Sequence, residues 1–173
     1  MRVEVPDAAA MEAFGRDLAR ELRAGDLVLL TGPLGAGKTT LTRGIGDGLG
    51  VRGPVQSPTF VLARTHPSLV AGPPLVHVDA YRLGDATLVE DLDLDFAHSV
   101  VVVEWGAGLV EDEADSWLEI VIERPEGTAA SATDAAAATD PADAEALGGD
   151  EPRRITVRGL GPRWAGSRYA AGR

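Results

Sequence analysis

Met11, Phe14, Leu18 and Leu22 fall three and four positions apart, which lines one face of a 3.6-residue repeat. That spacing predicts an amphipathic helix over 8–24, with Asp7 capping its first turn and Gly25 as the left-handed residue at its end. The run Leu27-Val28-Leu29-Leu30-Thr31 is continuously apolar and bounded by turn formers, as in a strand covered on both faces. A glycine-rich loop separates it from a second helix over Lys38–Leu49.

Further along, Thr59–Arg64 and Leu75–Val78 read as strands, and Leu88, Leu92 and Phe96 place a short acidic helix over 86–97. Four β-branched residues, Val100–Val103, favour extended backbone. Leu118–Glu123 alternates apolar and charged positions, and Ile155–Arg158 is a partner for it. Strands mixed with helices in a chain of 173 residues predict one three-layer α/β domain spanning 1–173. Its sheet is expected to be mainly parallel at the centre, flanked by helices, and closed by a C-terminal antiparallel strand pair.

Composition narrows the class. Hydrophobic residues make up 45%, enough for an ordinary core. No apolar run has the roughly 18 residues of a membrane span, and the N-terminus lacks a secretory apolar core. There is no cysteine, which removes disulfides, thiolate zinc sites and cysteine nucleophiles, and is compatible with a cytoplasmic location. The net charge is −11 but uneven: 126–151 carries seven acids and no base, and 152–173 carries six arginines and no acid. The acidic body does not suit a nucleic-acid backbone, and the basic tail, 160–173, is expected as solvated surface. Ten of the 18 residues in 129–146 are alanine, so 126–151 is expected to be a disordered acidic insertion.

One motif carries chemistry. Gly32-Pro33-Leu34-Gly35-Ala36-Gly37-Lys38-Thr39 fits G-x-x-x-x-G-K-[ST] between a buried strand and a helix. Glycines admit positive φ and bring amide N–H groups close to phosphate oxygens, and the helix start favours an anion. Lys38 is the only lysine among 16 basic residues; a compact ammonium suits a loop that arginine's wide fork would crowd. The Thr39 hydroxyl is a magnesium ligand in such loops. Together these make the segment a P-loop NTPase-like nucleotide site. The chain contains no asparagine, so Asn-Lys-x-Asp guanine readout is absent and ATP is the expected nucleotide.

Glu104, ending the valine strand, is expected to hold magnesium or orient the attacking water. Asp79, ending Val76-His77-Val78, is a second carboxylate, acting on metal through water or capping a turn. His77 reads as structural, for want of a Ser or Asp partner at a recognisable spacing. Trp105 either stacks beside the site, docks a partner or fills a wall.

These segments, with Ser57-Pro58-Thr59-Phe60, His77-Val78-Asp79-Ala80-Tyr81-Arg82-Leu83, Glu104-Trp105 and Leu34–Thr40 in order, resemble the TsaE family over 3–124 and 153–159. The resemblance implies an ATPase for threonylcarbamoyladenosine formation beside the tRNA anticodon. It implies an ATP cycle that serves a TsaB–TsaD complex, touching tRNA only indirectly. Carried over by position, Leu34, Gly35, Ala36, Gly37, Lys38, Thr39 and Thr40 surround the phosphates, and Thr39 and Glu104 hold Mg2+. Asp79 and Trp105 belong to the nucleotide-sensitive region, and Ser57 to Phe60, with Thr59 offering a hydroxyl, form a switch segment. Arg153 or Arg154 matches an arginine kept near the nucleotide. Pro33 stands where an acidic residue is frequent, Gly106 where proline is, and 126–151 is longer than usual. Without an obvious arginine finger, intrinsic turnover is expected to be slow. A nucleotide-switched binding module and a small-molecule kinase are the alternatives.

Overall fold

In the computed structural model, residues 1–58, 61–82, 92, 94–124 and 151–171 are described. Strand β1 (Arg2–Val5) leads into helix α1 (Ala8–Ala19), whose first turn is capped by Asp7 Oδ1 accepting the Ala10 N–H at 2.7 Å. α1 ends earlier than the periodicity suggests: Glu21 and Leu22 donate to Leu18 and Ala19, three residues back, so the last turn tightens. Gly25 has φ +91°, but it turns the chain into the next strand and does not cap the helix.

Strand β2 (Leu27–Thr31) and helix α2 (Lys38–Leu49) fall where the sequence puts them. Next come β3 (Ala63–His66), β4 (Leu75–Asp79), β5 (Val100–Glu104), β6 (Trp117–Glu123) and β7 (Arg153–Leu160). Two placements differ from expectation. β3 starts later than Thr59, because Val61 and Leu62 turn back with their N–H groups on the Pro58 carbonyl. β1 was not anticipated; four residues of alternating polarity are too short to signal a strand. The helix expected over 86–97 lies mostly outside the described residues, and its described end, 94–97, is not helical. The expected insertion, 126–151, also lies outside them except for Glu151.

The seven strands form one sheet in the order β1-β7-β6-β2-β5-β4-β3. β6, β2, β5 and β4 run parallel, while β7 is antiparallel to both β6 and β1, and β3 is antiparallel to β4. Side chains alternate across it. Val28, Leu30, Val102 and Ile120 face α1 and α2, packing with Leu18, Leu41 and Ile45. Leu27, Leu29, Val76, Val101 and Val103 face the other way. Among the described residues that second face is covered by irregular chain through Leu94, Phe96 and Val110, while both helices share the first. Each fully buried aliphatic side chain contributes about 1.5–3 kcal/mol to the core.

α1 and α2 cross closely because glycines face each other. A Cβ on Gly15 would stand 2.6 Å from the Leu41 carbonyl oxygen, and one on Gly44 would overlap the Glu12 backbone. The expected tail is largely structural: Trp164 and Tyr169 are buried, and the Gly159 N–H donates to the Tyr169 carbonyl at 2.6 Å. Arg163 chelates buried Asp26, with Nε on Oδ1 at 3.1 Å and Nη2 on Oδ2 at 3.2 Å. Arg154, Arg158 and Arg168 remain exposed. No described helix is long and apolar enough to cross a membrane.

Candidate functional site

The C-terminal ends of the parallel strands, where ligands gather in open α/β sheets, carry the loop and both carboxylates. The loop runs from β2 into α2. Gly35 (φ +71°) and Gly37 (φ +101°) take backbone that a β-carbon would strain. Gly32 is needed for closeness, since a Cβ there would lie 2.6 Å from the Ile122 carbonyl oxygen of β6. Gly37 begins α2 and supplies no side-chain cap, so the positive end of the helix dipole faces the loop.

Lys38 is buried, and its Nζ donates to the Gly32 and Pro33 carbonyls at 3.0 and 3.1 Å. The same ammonium lies 4.1 Å from the centroid of the Trp105 ring. Trp105 reaches it by a left-handed turn, φ +62°, fixed by its N–H on the Leu30 carbonyl at 3.0 Å. Tyr81, 70% exposed, packs on Trp105 with ring centroids 5.3 Å apart.

Thr39 Oγ1 donates to Glu104 Oε1 at 2.8 Å, although 65 residues separate them. His77 Nε2 lies 2.8 Å from that same oxygen, in a pair that is almost wholly buried. Asp79 sits opposite Glu104 in the β4–β5 register, and its Oδ1 accepts the Tyr81 N–H at 3.1 Å, so the turn-capping role is real. The Asp79 N–H in turn donates to the Leu62 carbonyl at 2.9 Å, tying the turn after Pro58 to the site.

The other expected residues divide. Leu34 is exposed on the loop and Ala36 buried beneath it, with Gly35 and Thr40 half-buried. Ser57 is half-buried ahead of the turn at Val61, and Thr59 lies outside the described residues. Arg153 is buried on the helix-bearing face, with Nη1 donating to the Glu151 carbonyl at 2.8 Å. Its pKa is lowered, first by burial and then by the charge of Arg124. Arg154 is exposed and pairs in register with Glu4 and Glu123, so it is not brought to the site.

One participant, Arg124, went unnoticed in the sequence, and another, His77, was read as structural only. His77 finds its partner in Glu104, which the strand pattern foreshadows: His77 and Asp79 share a face, as do Val102 and Glu104 on the adjacent strand. Arg124, two residues beyond Ile122, reaches the loop with Nη2 on the Gly35 carbonyl at 3.3 Å.

The donor set fits a nucleoside triphosphate with its metal. Uncapped helix N–H groups and a buried ammonium suit phosphate oxygens, and Thr39 with Glu104 offers one hydroxyl and one carboxylate. Among the described residues no cluster of three acidic, His or Cys side chains forms a metal cage. Magnesium, which keeps most of its waters, does not require one.

Sheet order, loop and helix define a P-loop α/β protein. The model of the family "Threonylcarbamoyl adenosine biosynthesis protein TsaE" matches residues 5–132. The TsaE protein of Streptomyces coelicolor is 56% identical over 158 residues, covering 90% of this chain and 94% of its own. That of Bacillus subtilis is 34% identical over 156 residues, covering 88% and 82%. The crystal structure of Bacillus subtilis YdiB aligns with a TM-score of 0.62 at 29% identity, covering 98% of this chain and 88% of that one. The chain therefore belongs to the TsaE family, whose members serve tRNA threonylcarbamoyladenosine biosynthesis.

Proposed function

We propose that the chain is a Mg2+-dependent ATPase subunit of that pathway, acting in the cytoplasm on a complex of TsaB and TsaD homologues and on tRNA only through them. The observation that carries this reading is the convergence of Lys38 and the Thr39–Glu104 pair on the uncapped start of α2. Leu34–Thr40 cradles the phosphates, and Lys38 balances their charge from within a buried loop. Thr39 and Glu104 would hold the metal, which would supply positive charge against the phosphate oxygens. Glu104 keeps its orientation through His77, and Asp79 stands beside it, able to position water. Trp105 packs on the ammonium, and Tyr81 packs on Trp105.

Calorimetry tests this directly. Wild-type chain is expected to bind Mg·ATP and Lys38→Ala to lose that binding; no heat from folded wild-type protein overturns the proposal. Co-purification with TsaB and TsaD homologues, with and without ATP, tests the partner assignment separately.

A further inference from the structure

The described end of the β6–β7 ladder pairs Glu123 with Arg154. One step further, the register sets Arg124 opposite Arg153, on the face shared by Ile122, Ile155 and the helices. Like charges directly opposite in an antiparallel pair destabilise it, so this placement calls for an anion. Glu151 meets part of the need, bonding Arg153 Nη1 at 3.4 Å through Oε2. Arg124 has no carboxylate partner among the described residues; its Nη2 rests on the Gly35 carbonyl, and its buried Nε has no hydrogen-bond partner. Burial and the neighbouring charge both depress the Arg153 pKa, as expected where positive charge is concentrated before an anion arrives.

Resting on the ATPase reading above, we infer that Arg124, just past the end of β6 and backed by Arg153, is a phosphate-binding residue supplied in cis to the nucleotide held in the glycine loop. It lies outside the loop motif and follows a different element. β6 is held against the loop where Gly32 meets the Ile122 carbonyl, so a shift of the loop crest at Gly35 is felt at Arg124.

The test uses the full chain with Arg124→Gln, which can still donate to the Gly35 carbonyl, and Arg124→Lys, which keeps the charge. Mg·ATP and inorganic tripolyphosphate, a phosphate chain without a base, are titrated calorimetrically, and the unliganded melting temperature of each variant is recorded. Arg124→Gln is expected to weaken both ligands by about tenfold or more, with Arg124→Lys within about threefold of wild type. Equal binding by Arg124→Gln and wild type overturns the inference while leaving the ATPase reading intact. Equal losses in the Gln and Lys variants also overturn it, making Arg124 a strut for the Gly35 carbonyl. A folded wild type that binds neither ligand overturns the parent reading, and this inference with it.

Discussion

His77 Nε2 and Glu104 Oε1 lie 2.8 Å apart on neighbouring strands, and that oxygen also accepts the Thr39 hydroxyl. The carboxylate is 4% exposed, so these bonds replace much of its lost hydration. With Nε2–H donating, His77 Nδ1 is left buried without a partner, so the imidazole is committed to Glu104. His77→Phe keeps a ring but removes the donor. It is expected to cost about 1.5–3 kcal/mol, the range for a hydrogen bond to a charged group, read from urea unfolding. A loss under about 0.5 kcal/mol would show that the pair contributes little to stability.

Glu104 itself should separate binding from turnover. Glu104→Ala removes the only carboxylate hydrogen-bonded to Thr39 among the described residues. Under the proposed ATPase mechanism, hydrolysis falls by about a hundredfold or more while Lys38 and the loop still hold the nucleotide. Single-turnover hydrolysis and nucleotide titration on one preparation measure both. A variant that keeps its rate removes Glu104 from the chemistry.

Much of this was legible in the chain. The buried strand Leu27–Thr31 and the helix from Lys38 were set by a continuous apolar run and a glycine loop, signals that depend on neighbours in sequence. Long-range partnerships were not. His77 looked structural because its partner lies 27 residues away, and only strand register brings them together. The segment 160–173 looked like solvated tail because composition ignores Trp164 and Tyr169, the anchors that fold it back. The Arg153-Arg154 doublet was unreadable until the register put one residue on each face.

The α1–α2 crossing gives a test of packing without chemistry. Gly44 admits the Glu12 backbone so closely that an added methyl has no room. An alanine there would ordinarily favour the helix by up to about 1 kcal/mol, so a loss isolates the steric term. Gly44→Ala is expected to destabilise the chain by about 1–3 kcal/mol in urea titration. Stabilisation instead would mean that the helices separate freely.

Asp26 and Arg163 give a test of an ion pair at the other end of β2 from the glycine loop. Asp26 is 4% exposed and also accepts the Arg23 N–H at 2.9 Å. Arg163→Met strands that carboxylate and is expected to cost roughly 3 kcal/mol. Adding Asp26→Leu should recover a large part of the loss, because the stranded charge goes with it. A double-mutant cycle on thermal unfolding measures the coupling, and simple additivity would contradict it.

His66 supplies the pH dependence. Its ring is 5% exposed, Nδ1 lies 3.2 Å from the Arg52 carbonyl and must donate to it, and Nε2 is buried without a partner. A second proton would have no acceptor, and burial, followed by the charges of His77 and Arg64, lowers the pKa against the raising effect of the Arg52 carbonyl. The sign follows from where protons bind. Below about pH 6.5 the unfolded chain takes up a proton that the folded ring refuses. Stability from this residue is therefore full above that pH and declines as pH falls toward the depressed folded value. His66→Leu removes the effect, so lowering the pH from about 7.5 to about 5.5 should destabilise wild type more than the variant in parallel urea titrations. Equal declines in both chains would show that His66 titrates no differently when folded.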